Sequence, residues 1–238
     1  MPVILHIETA TSVCSVALSK NGELLSIQDS SIRNAHSTIL TTYIEDVLRN
    51  SGLGISQIDA VAVSKGPGSY TGLRIGVASA KGLCYSLDRP LISVSTFRAM
   101  GEGILQLAVG SWQLEKRRNL LICPMIDARR MEVFCAVFDS EGKEIRNTQA
   151  EIIEEHSFSG FLKENRIVFA GDGSEKCKTV LEKNKNALFL DDFRASAKYM
   201  ISIAEQKYAD TQFENLAYFE PYYLKDFIAG KPKVKGLK

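Results

Sequence analysis

The stretch Ser64-Lys-Gly-Pro-Gly-Ser-Tyr-Thr-Gly-Leu-Arg-Ile-Gly-Val-Ala-Ser-Ala-Lys-Gly-Leu83 connects the end of an apolar run to the start of a helical pattern. The residues just before it, Ile58-Asp-Ala-Val-Ala-Val63, are typical of a buried strand. Pro67-Gly68 has the composition of a tight turn, and Ser69 or Thr71 can cap the helix that follows. A strand, a glycine turn and a helix in this order leave backbone N–H groups at the helix start, which is where an anion is stabilised.

Two interpretations of this glycine turn remain open. Its spacing, Gly-x-Gly-x-x-x-Gly, is not the dinucleotide-binding G-x-G-x-x-G, and no Gly-Lys-Ser/Thr follows to supply the lysine and hydroxyl of a phosphate loop. The turn therefore predicts either a nucleotide-facing site or a tight turn without a ligand. The residues that could face a nucleotide are Glu8, Gly66, Gly68, Ser69 and Asp127.

Small residues recur every four positions along the helix that follows the turn. Gly72, Gly76 and Ala80 lie on one side of it, where they allow another backbone to come close. A glycine inside a helix costs about 1 kcal/mol relative to alanine. Two such glycines on one face therefore imply a close contact, either within the chain or with a partner.

The composition is that of an ordinary globular protein. The chain has 238 residues, of which 45% are hydrophobic and 24% charged, and its net charge is +1. No strong overall field therefore draws it to nucleic acid or to a membrane. The five cysteines include no C-x-x-C pair, which is typical of a reducing compartment. Because the first residues lack a basic segment and no run of about 18 apolar residues occurs, we expect a cytoplasmic protein without membrane contact.

Two features of the first half of the chain recur in the same order in the second half. Residues 3–7 are an apolar segment that ends at Glu8, and residues 120–126 are one that ends at Asp127; each is followed by two strand patterns joined by a turn. The glycine turn recurs as Gly171-Asp-Gly-Ser174, again after an apolar strand. We infer two related α/β halves.

The boundary between the halves falls near residues 98–119, which gives an N-terminal half, 1–102, and a C-terminal half, 103–238. The last helical pattern, 195–208, and the tail after it could also pack back on the first half. Two such halves resemble the tandem RNase-H-like architecture of the actin, sugar-kinase and heat-shock-chaperone superfamily, so the expected fold class is α/β with two subdomains. In that fold the acidic turns and glycine turns of both halves face one cleft, where nucleotide phosphate and metal sit.

Few residues are placed to carry chemistry. Across such a cleft Glu8 and Asp127 could hold a magnesium ion or orient water, and hydrogen bonding within their own turns is an equally open alternative. The three histidines are far apart and form no H-E-x-x-H, so a zinc site is not expected. Ser69 has no identifiable base, which argues against a peptidase.

Basic residues cluster in two places, at positions 116–118 and in the tail. Either cluster could contact RNA phosphates, and solvated surface is the alternative. The tail residues concerned are Lys231, Lys233, Lys235 and Lys238.

Six motifs together carry a resemblance to a known family. They are Lys65-Gly-Pro-Gly-Ser-Tyr-Thr-Gly-Leu-Arg-Ile-Gly76, Ile7-Glu-Thr-Ala10, Ala35-His-Ser37, Val94-Ser-Thr96, Asp127-Ala-Arg129 and Pro221-Tyr-Tyr-Leu-Lys-Asp226. Over nearly its whole length the chain is similar to the bacterial TsaB family, also called YeaZ.

The resemblance implies a non-catalytic subunit of the machinery that makes threonylcarbamoyladenosine in tRNA. In that machinery TsaD carries the metal and transfers the threonylcarbamoyl group, TsaE is an ATPase partner, and TsaC makes the adenylate. TsaB lacks the metal-ligating histidine pair of TsaD, and here Leu40 stands four residues after His36. We therefore expect no metal and no cofactor, partnership with TsaD, with a second copy and with TsaE in a larger complex, and only indirect contact with tRNA.

The family also implies a docking surface. Its first two long helices, here residues 36–50 and 70–87, pair with the same helices of TsaD or of a second TsaB in a four-helix contact. The sequence does not decide which side of each helix faces the partner. The expected partner-binding residues are His36, Leu40, Tyr43, Gly72, Leu73, Gly76 and Val77. The alternative is a nucleotide-binding enzyme, ATPase-like or kinase-like, of the actin-like superfamily.

Overall fold

The computed structural model describes residues 2–32, 36–112 and 119–225. Its first half is a five-stranded sheet in the order β3-β2-β1-β4-β5, in which β1, β2 and β3 form an antiparallel meander and β4 and β5 run parallel to β1. The strands are β1 Val3–Glu8, β2 Cys14–Lys20, β3 Glu23–Ser30, β4 Ala60–Ser64 and β5 Leu91–Val94, and the helices are α1 His36–Ser51 and α2 Tyr70–Leu87.

The second half repeats this arrangement. Its sheet has the order β8-β7-β6-β9-β10, again with an antiparallel meander and two strands parallel to the first. Strand order and direction therefore match between the halves, which confirms the predicted α/β fold with two RNase-H-like subdomains. The strands are β6 Leu120–Asp127, β7 Glu132–Asp139, β8 Glu144–Ile152, β9 Arg166–Ala170 and β10 Ala187–Leu190, and the helices are α4 Ser159–Leu162 and α5 Ser174–Leu181.

The glycine turn occurs at the same place in both halves. Gly66 and Gly171 each follow the fourth strand of their sheet and have the same φ of +109°, a conformation that L side chains rarely adopt. At both positions an added Cβ would also overlap a backbone carbonyl oxygen. At Gly66 this is the oxygen of Tyr222, and at Gly171 it is the oxygen of Met125. The repeated Gly-x-Gly-Ser sequence thus encodes a repeated backbone conformation.

The largest core lies between the two sheets. Helix α3, Thr96–Trp112, packs on the second sheet, while a 3-10 turn, Ala197–Met200, and helix α6, Ile201–Ala209, pack on the first. The single helix expected at 195–208 is therefore split in two, and the sequence did not predict β10 or α4. The division between residues 102 and 103 falls inside α3 and stays a prediction.

A second core lies on the outer face of the first sheet. Helix α1 covers β2 and β3, and helix α2 covers β1, β4 and β5. Residues of the C-terminal tail lie beside α2 at the open edge of β5, where the Glu214 amide donates to the Leu91 carbonyl at 2.9 Å. Within the part of the chain that the structure describes, no helix combines the length and apolar character needed to cross a membrane.

Candidate functional site

The glycine turn before α2 is filled by the chain itself. Gly68 lies against the Ala10 carbonyl, with which an added Cβ would overlap, and the Ser69 amide donates to the same oxygen at 2.6 Å. On another side of the turn, the Tyr222 amide donates to the Lys65 carbonyl at 2.7 Å. The Ser69 amide, a donor that could bind a phosphate, is therefore used within the protein, which favours the interpretation as a tight turn.

Ser69 caps α2, as one of the two predicted candidates. Its side-chain oxygen accepts a hydrogen bond from the Gly72 amide at 3.2 Å, while its backbone conformation is extended. This bond accounts for the serine at this position. A nucleophilic role would need a base beside it, and among the described residues the partner of this hydroxyl is a backbone amide and not a basic side chain.

The small-residue stripe of α2 packs on its own chain, so the close contact that it implies lies within the fold, and its role in partner binding stays a prediction. A Cβ added to Gly72 would overlap the Thr9 carbonyl, and a Cβ added to Gly76 would overlap the Thr9 hydroxyl. The Thr9 hydroxyl also donates a hydrogen bond to the Gly72 carbonyl at 2.8 Å. The two glycines therefore let the helix pass over the turn that follows β1.

Three apolar residues expected at the partner surface are also buried. Leu40, Leu73 and Val77 are at most 4% exposed, and Leu40 and Val77 belong to the outer core under α1 and α2. The sheet lies on their side of each helix, so their burial favours a role in the core, and a partner role for them stays a prediction. The other two residues of the expected set, His36 and Tyr43, are half-buried.

His36 ties the start of α1 to the turn between β1 and β2. Its Nε2 lies 3.1 Å from the Thr11 carbonyl and 3.2 Å from the Val13 carbonyl, so the N–H at this position donates to both. Tyr43 lies about two turns later and packs at the border of the outer core. A partner role for either residue stays a prediction.

Glu8 is buried, and its carboxyl group closes a turn. It is 1% exposed, and its Oε1 accepts a hydrogen bond from the Ala10 amide at 2.6 Å. Burial raises the pKa of Glu8 to about 7, and the hydrogen bonds from Ala10 and from the Ser64 side chain lower it only in part. A carboxyl group in this position serves the fold and is poorly placed to hold a metal ion.

Asp127 also closes a turn, but at the surface. Its Oδ1 accepts a hydrogen bond from the Arg129 amide at 2.9 Å and binds the Lys176 ammonium group, which also donates to the Arg130 and Glu132 carbonyls at 2.7 Å each. Partial burial acts to raise the pKa of Asp127, and the bonds from Lys176 and Arg129 outweigh it, so the pKa is lowered.

Among the described residues, the predicted parts do not come together as a metal-binding cluster. Among residues 2–32, 36–112 and 119–225, no group of three or more His, Cys, Asp or Glu side chains could hold a metal ion. Two open cavities, of about 380 and about 350 Å³, lie elsewhere, and neither is lined by the two glycine turns. The basic clusters at 116–118 and 231–238, and the family-motif residues Ala35 and Asp226, lie outside the described residues.

The opposite side of α2 is open and was not predicted. We call it the α2 outer face; no atom lies within 4 Å of a Cβ placed on Gly82, and Tyr85 is 84% exposed. Its signal in the sequence is a second small pair at four-residue spacing, Ala78 and Gly82, parallel to the buried stripe. The α2 outer face consists of Thr71, Arg74, Ala78, Gly82 and Tyr85, all exposed.

Comparisons with known proteins agree with the architecture. The sequence profile of the family TsaD, tRNA N6-adenosine threonylcarbamoyltransferase, matches residues 28–232. The tRNA threonylcarbamoyladenosine biosynthesis protein TsaB of Haemophilus influenzae is 30% identical over 239 aligned residues, which cover 96% of this chain and 95% of that protein.

Solved structures show the same fold. A Pseudomonas aeruginosa protein described as similar to the peptidase YeaZ superposes with a TM-score of 0.79 at 23% identity, covering 94% of this chain and 100% of that one. An activator of 2-hydroxyisocaproyl-CoA dehydratase from Clostridium difficile, solved with bound ADPNP, superposes with a TM-score of 0.50 at 10% identity, covering 90% of this chain and 98% of that one.

Proposed function

This chain belongs to the TsaB family, whose members serve tRNA threonylcarbamoyladenosine biosynthesis, and we propose that it is a non-catalytic subunit that binds and supports the transferase TsaD. On this proposal it also pairs with a second copy of itself, joins TsaE in a larger complex, and meets tRNA only through its partners.

The proposal that the chain is non-catalytic is supported by how its polar groups are used. The Ser69 hydroxyl caps a helix, the Glu8 carboxyl is buried in a turn, and the Asp127 carboxylate is held by Lys176. Each group thus has a partner within the fold. The transfer of the threonylcarbamoyl group is accordingly assigned to TsaD.

The difference in length between equivalent helices of the two halves carries the docking proposal. Strands β4 and β9 both have five residues, so the strands that precede α2 and α5 have the same length. Helix α5 has 8 residues, about 12 Å, whereas α2 has 18 residues, about 27 Å. The extra turns of α2 bury Ala80 and Cys84 in the outer core on one side. On the other side they present Ala78, Gly82 and Tyr85 to solvent.

The likeness to TsaD supports the kind of partner. Because the TsaD profile matches most of this chain, a TsaD subunit is expected to present equivalent helices. Two similar helix pairs can meet around a pseudo-twofold axis, and a second copy of this chain can meet the same surface by true twofold symmetry. Small residues such as Ala78 and Gly82 allow such helices to come close.

Gly82→Arg tests the proposal, with Gly110→Arg as its matched control. Both glycines lie in helices with no atom within 4 Å of an added Cβ, so neither change should disturb folding. We expect Gly82→Arg to abolish co-purification with TsaD of the same organism and to lower tRNA modification in a reconstituted assay. Gly110→Arg should leave both unchanged. Undiminished TsaD binding by Gly82→Arg would refute the proposed surface.

A nucleotide-binding enzyme is the second candidate, because one structural neighbour was solved with ADPNP. Calorimetry of the isolated chain with ATP and magnesium separates the two functions. The scaffold proposal expects no binding. Micromolar binding that Gly68→Val and Asp127→Ala both abolish would favour the enzyme.

A further inference from the structure

The C-terminal segment 214–225, here called the strap, has an anchored backbone although it forms no regular element. Phe219 inserts into the outer core and is 9% exposed. The Lys81 ammonium group on α2 donates hydrogen bonds to two carbonyls of the strap. Backbone hydrogen bonds hold the strap on either side of these carbonyls. These bonds join Glu214 N to Leu91 O at 2.9 Å, Lys81 Nζ to Ala217 O at 3.3 Å and to Phe219 O at 3.0 Å, and Tyr222 N to Lys65 O at 2.7 Å.

Two highly exposed tyrosines lie beside the hydrogen bonds that join Lys81 to the strap. Tyr218 stands between the two carbonyls that Lys81 holds, and Tyr85 lies one turn after Lys81 on α2; each is 84% exposed. Tyrosines are enriched at protein interfaces because a large apolar ring is joined to a polar hydroxyl. Since the backbone under both rings is already fixed, little ordering is needed when a partner binds.

The three cations that α2 and the described strap carry are already engaged, which favours a protein partner over RNA. Lys81 donates to the strap carbonyls, Arg74 donates to the Tyr70 hydroxyl at 2.6 Å, and Lys225 pairs with Glu132. Binding of a nucleic acid strand combines base stacking with cations that are free to neutralise phosphates. The chemistry of the tyrosine pair is instead that of an aromatic contact with protein.

We infer that Tyr85 and Tyr218 are aromatic anchors that extend the α2 outer face onto the strap, so that the TsaD partner is bound by α2 and the strap together. The inference rests on the proposed function. Two rings at this exposure offer roughly 250–400 Å², a third to a half of the roughly 800 Å² that each partner contributes to a standard interface. The partner must supply apolar pockets, each with a hydrogen-bond acceptor for the phenol hydroxyl.

The test uses Tyr85→Ala and Tyr218→Ala, singly and together, in the full chain. Ile152→Ala is the matched control, because Ile152 is an exposed apolar residue, 62% accessible, on the edge strand β8 of the other sheet. The dissociation constant for TsaD is measured by calorimetry. We expect each tyrosine variant to weaken binding about tenfold and the control to leave it unchanged. Unchanged melting temperatures show that the variants fold.

The outcomes separate this inference from the proposed function. If Gly82→Arg abolishes binding and the double tyrosine variant binds normally, the strap inference is wrong and the scaffold proposal stands. If the tyrosine variants weaken binding while Gly82→Arg does not, the aromatic anchors stand and the close helix contact proposed at Gly82 is wrong. If the tyrosine variants lose affinity for tRNA instead, with a loss of affinity of about a thousandfold between about 50 and about 200 mM salt, the partner is RNA and the inference fails.

Discussion

Replacing Glu8 by Gln should make the protein more stable at neutral pH, and the gain should depend on pH. The buried carboxyl has a pKa of about 7, against 4.5 for the unperturbed group. Between these values the unfolded chain has lost the proton while the folded chain keeps it. The folded state therefore binds more protons, and its stability falls as the pH rises from 4.5 to 7.

The size of the effect follows from the shift. One pKa unit corresponds to about 1.4 kcal/mol, so the full shift costs about 3 kcal/mol of unfolding free energy once the pH is above 7. Glutamine cannot ionise, and its side-chain oxygen can still accept the hydrogen bond from the Ala10 amide. The variant should therefore gain up to about 3 kcal/mol over the wild type as the pH rises through this window.

Urea denaturation of both proteins at a series of pH values between about 4.5 and about 8 measures this difference. His6 acts in the opposite direction: burial lowers its pKa from 6.5 to about 3, so its contribution is lost as the pH falls below 6.5. That change is common to both proteins and cancels in the difference. A difference that stays flat with pH, or that is larger at acidic pH, would show that Glu8 is not held as a buried neutral acid.

Two further predictions concern the stripes and the turn. Gly72→Ala should lower the melting temperature, because the new Cβ overlaps the Thr9 carbonyl. Gly82→Ala should instead raise the unfolding free energy by about 1 kcal/mol, because its surroundings are open and alanine favours the helix. Equal effects of the two variants in thermal melts would contradict the assigned faces of α2. Lys176→Met should speed hydrogen exchange of the Arg129 amide, because the Asp127 carboxylate that accepts from this amide loses the cation that holds it. Protection of the amide equal to that in the wild type would refute the role of Lys176 in holding this turn.

Local pattern was enough to predict the central elements. Helix α2 begins and ends where the pattern indicated, and Ser69 caps it, because periodicity, glycine and cap chemistry all act over a few residues. Strand β10 was missed because its four half-buried residues have no distinctive alternation. The final helix was split because the 3-10 turn Ala197–Met200 depends on packing against the first sheet.

The outward face of α2 could not be decided in the same way. The pair Gly72 and Gly76 and the pair Ala78 and Gly82 are both small residues at four-residue spacing, so pattern alone does not rank them. What separates them is Thr9, which lies 63 residues before Gly72 in the chain and contacts only the first pair. A contact of that separation is a property of the folded topology, and the sequence pattern does not contain it.

The internal repeat explains why acidic residues recur after the first strand of each half without forming a shared site. Glu8 accepts from the amide two residues later, and Asp127 does the same, so each carboxyl closes the turn after its own first strand. The halves differ in what lies nearby. Counting from the glycine turn, the position of Lys176 corresponds to Thr71 in the first half, so no lysine there can offset the charge. Burial then raises the pKa of Glu8, while that of Asp127 is lowered. The same backbone requirement thus accounts for both carboxylates, whereas the lengths of α1 and α2 have no counterpart in α4 and α5 of the second half.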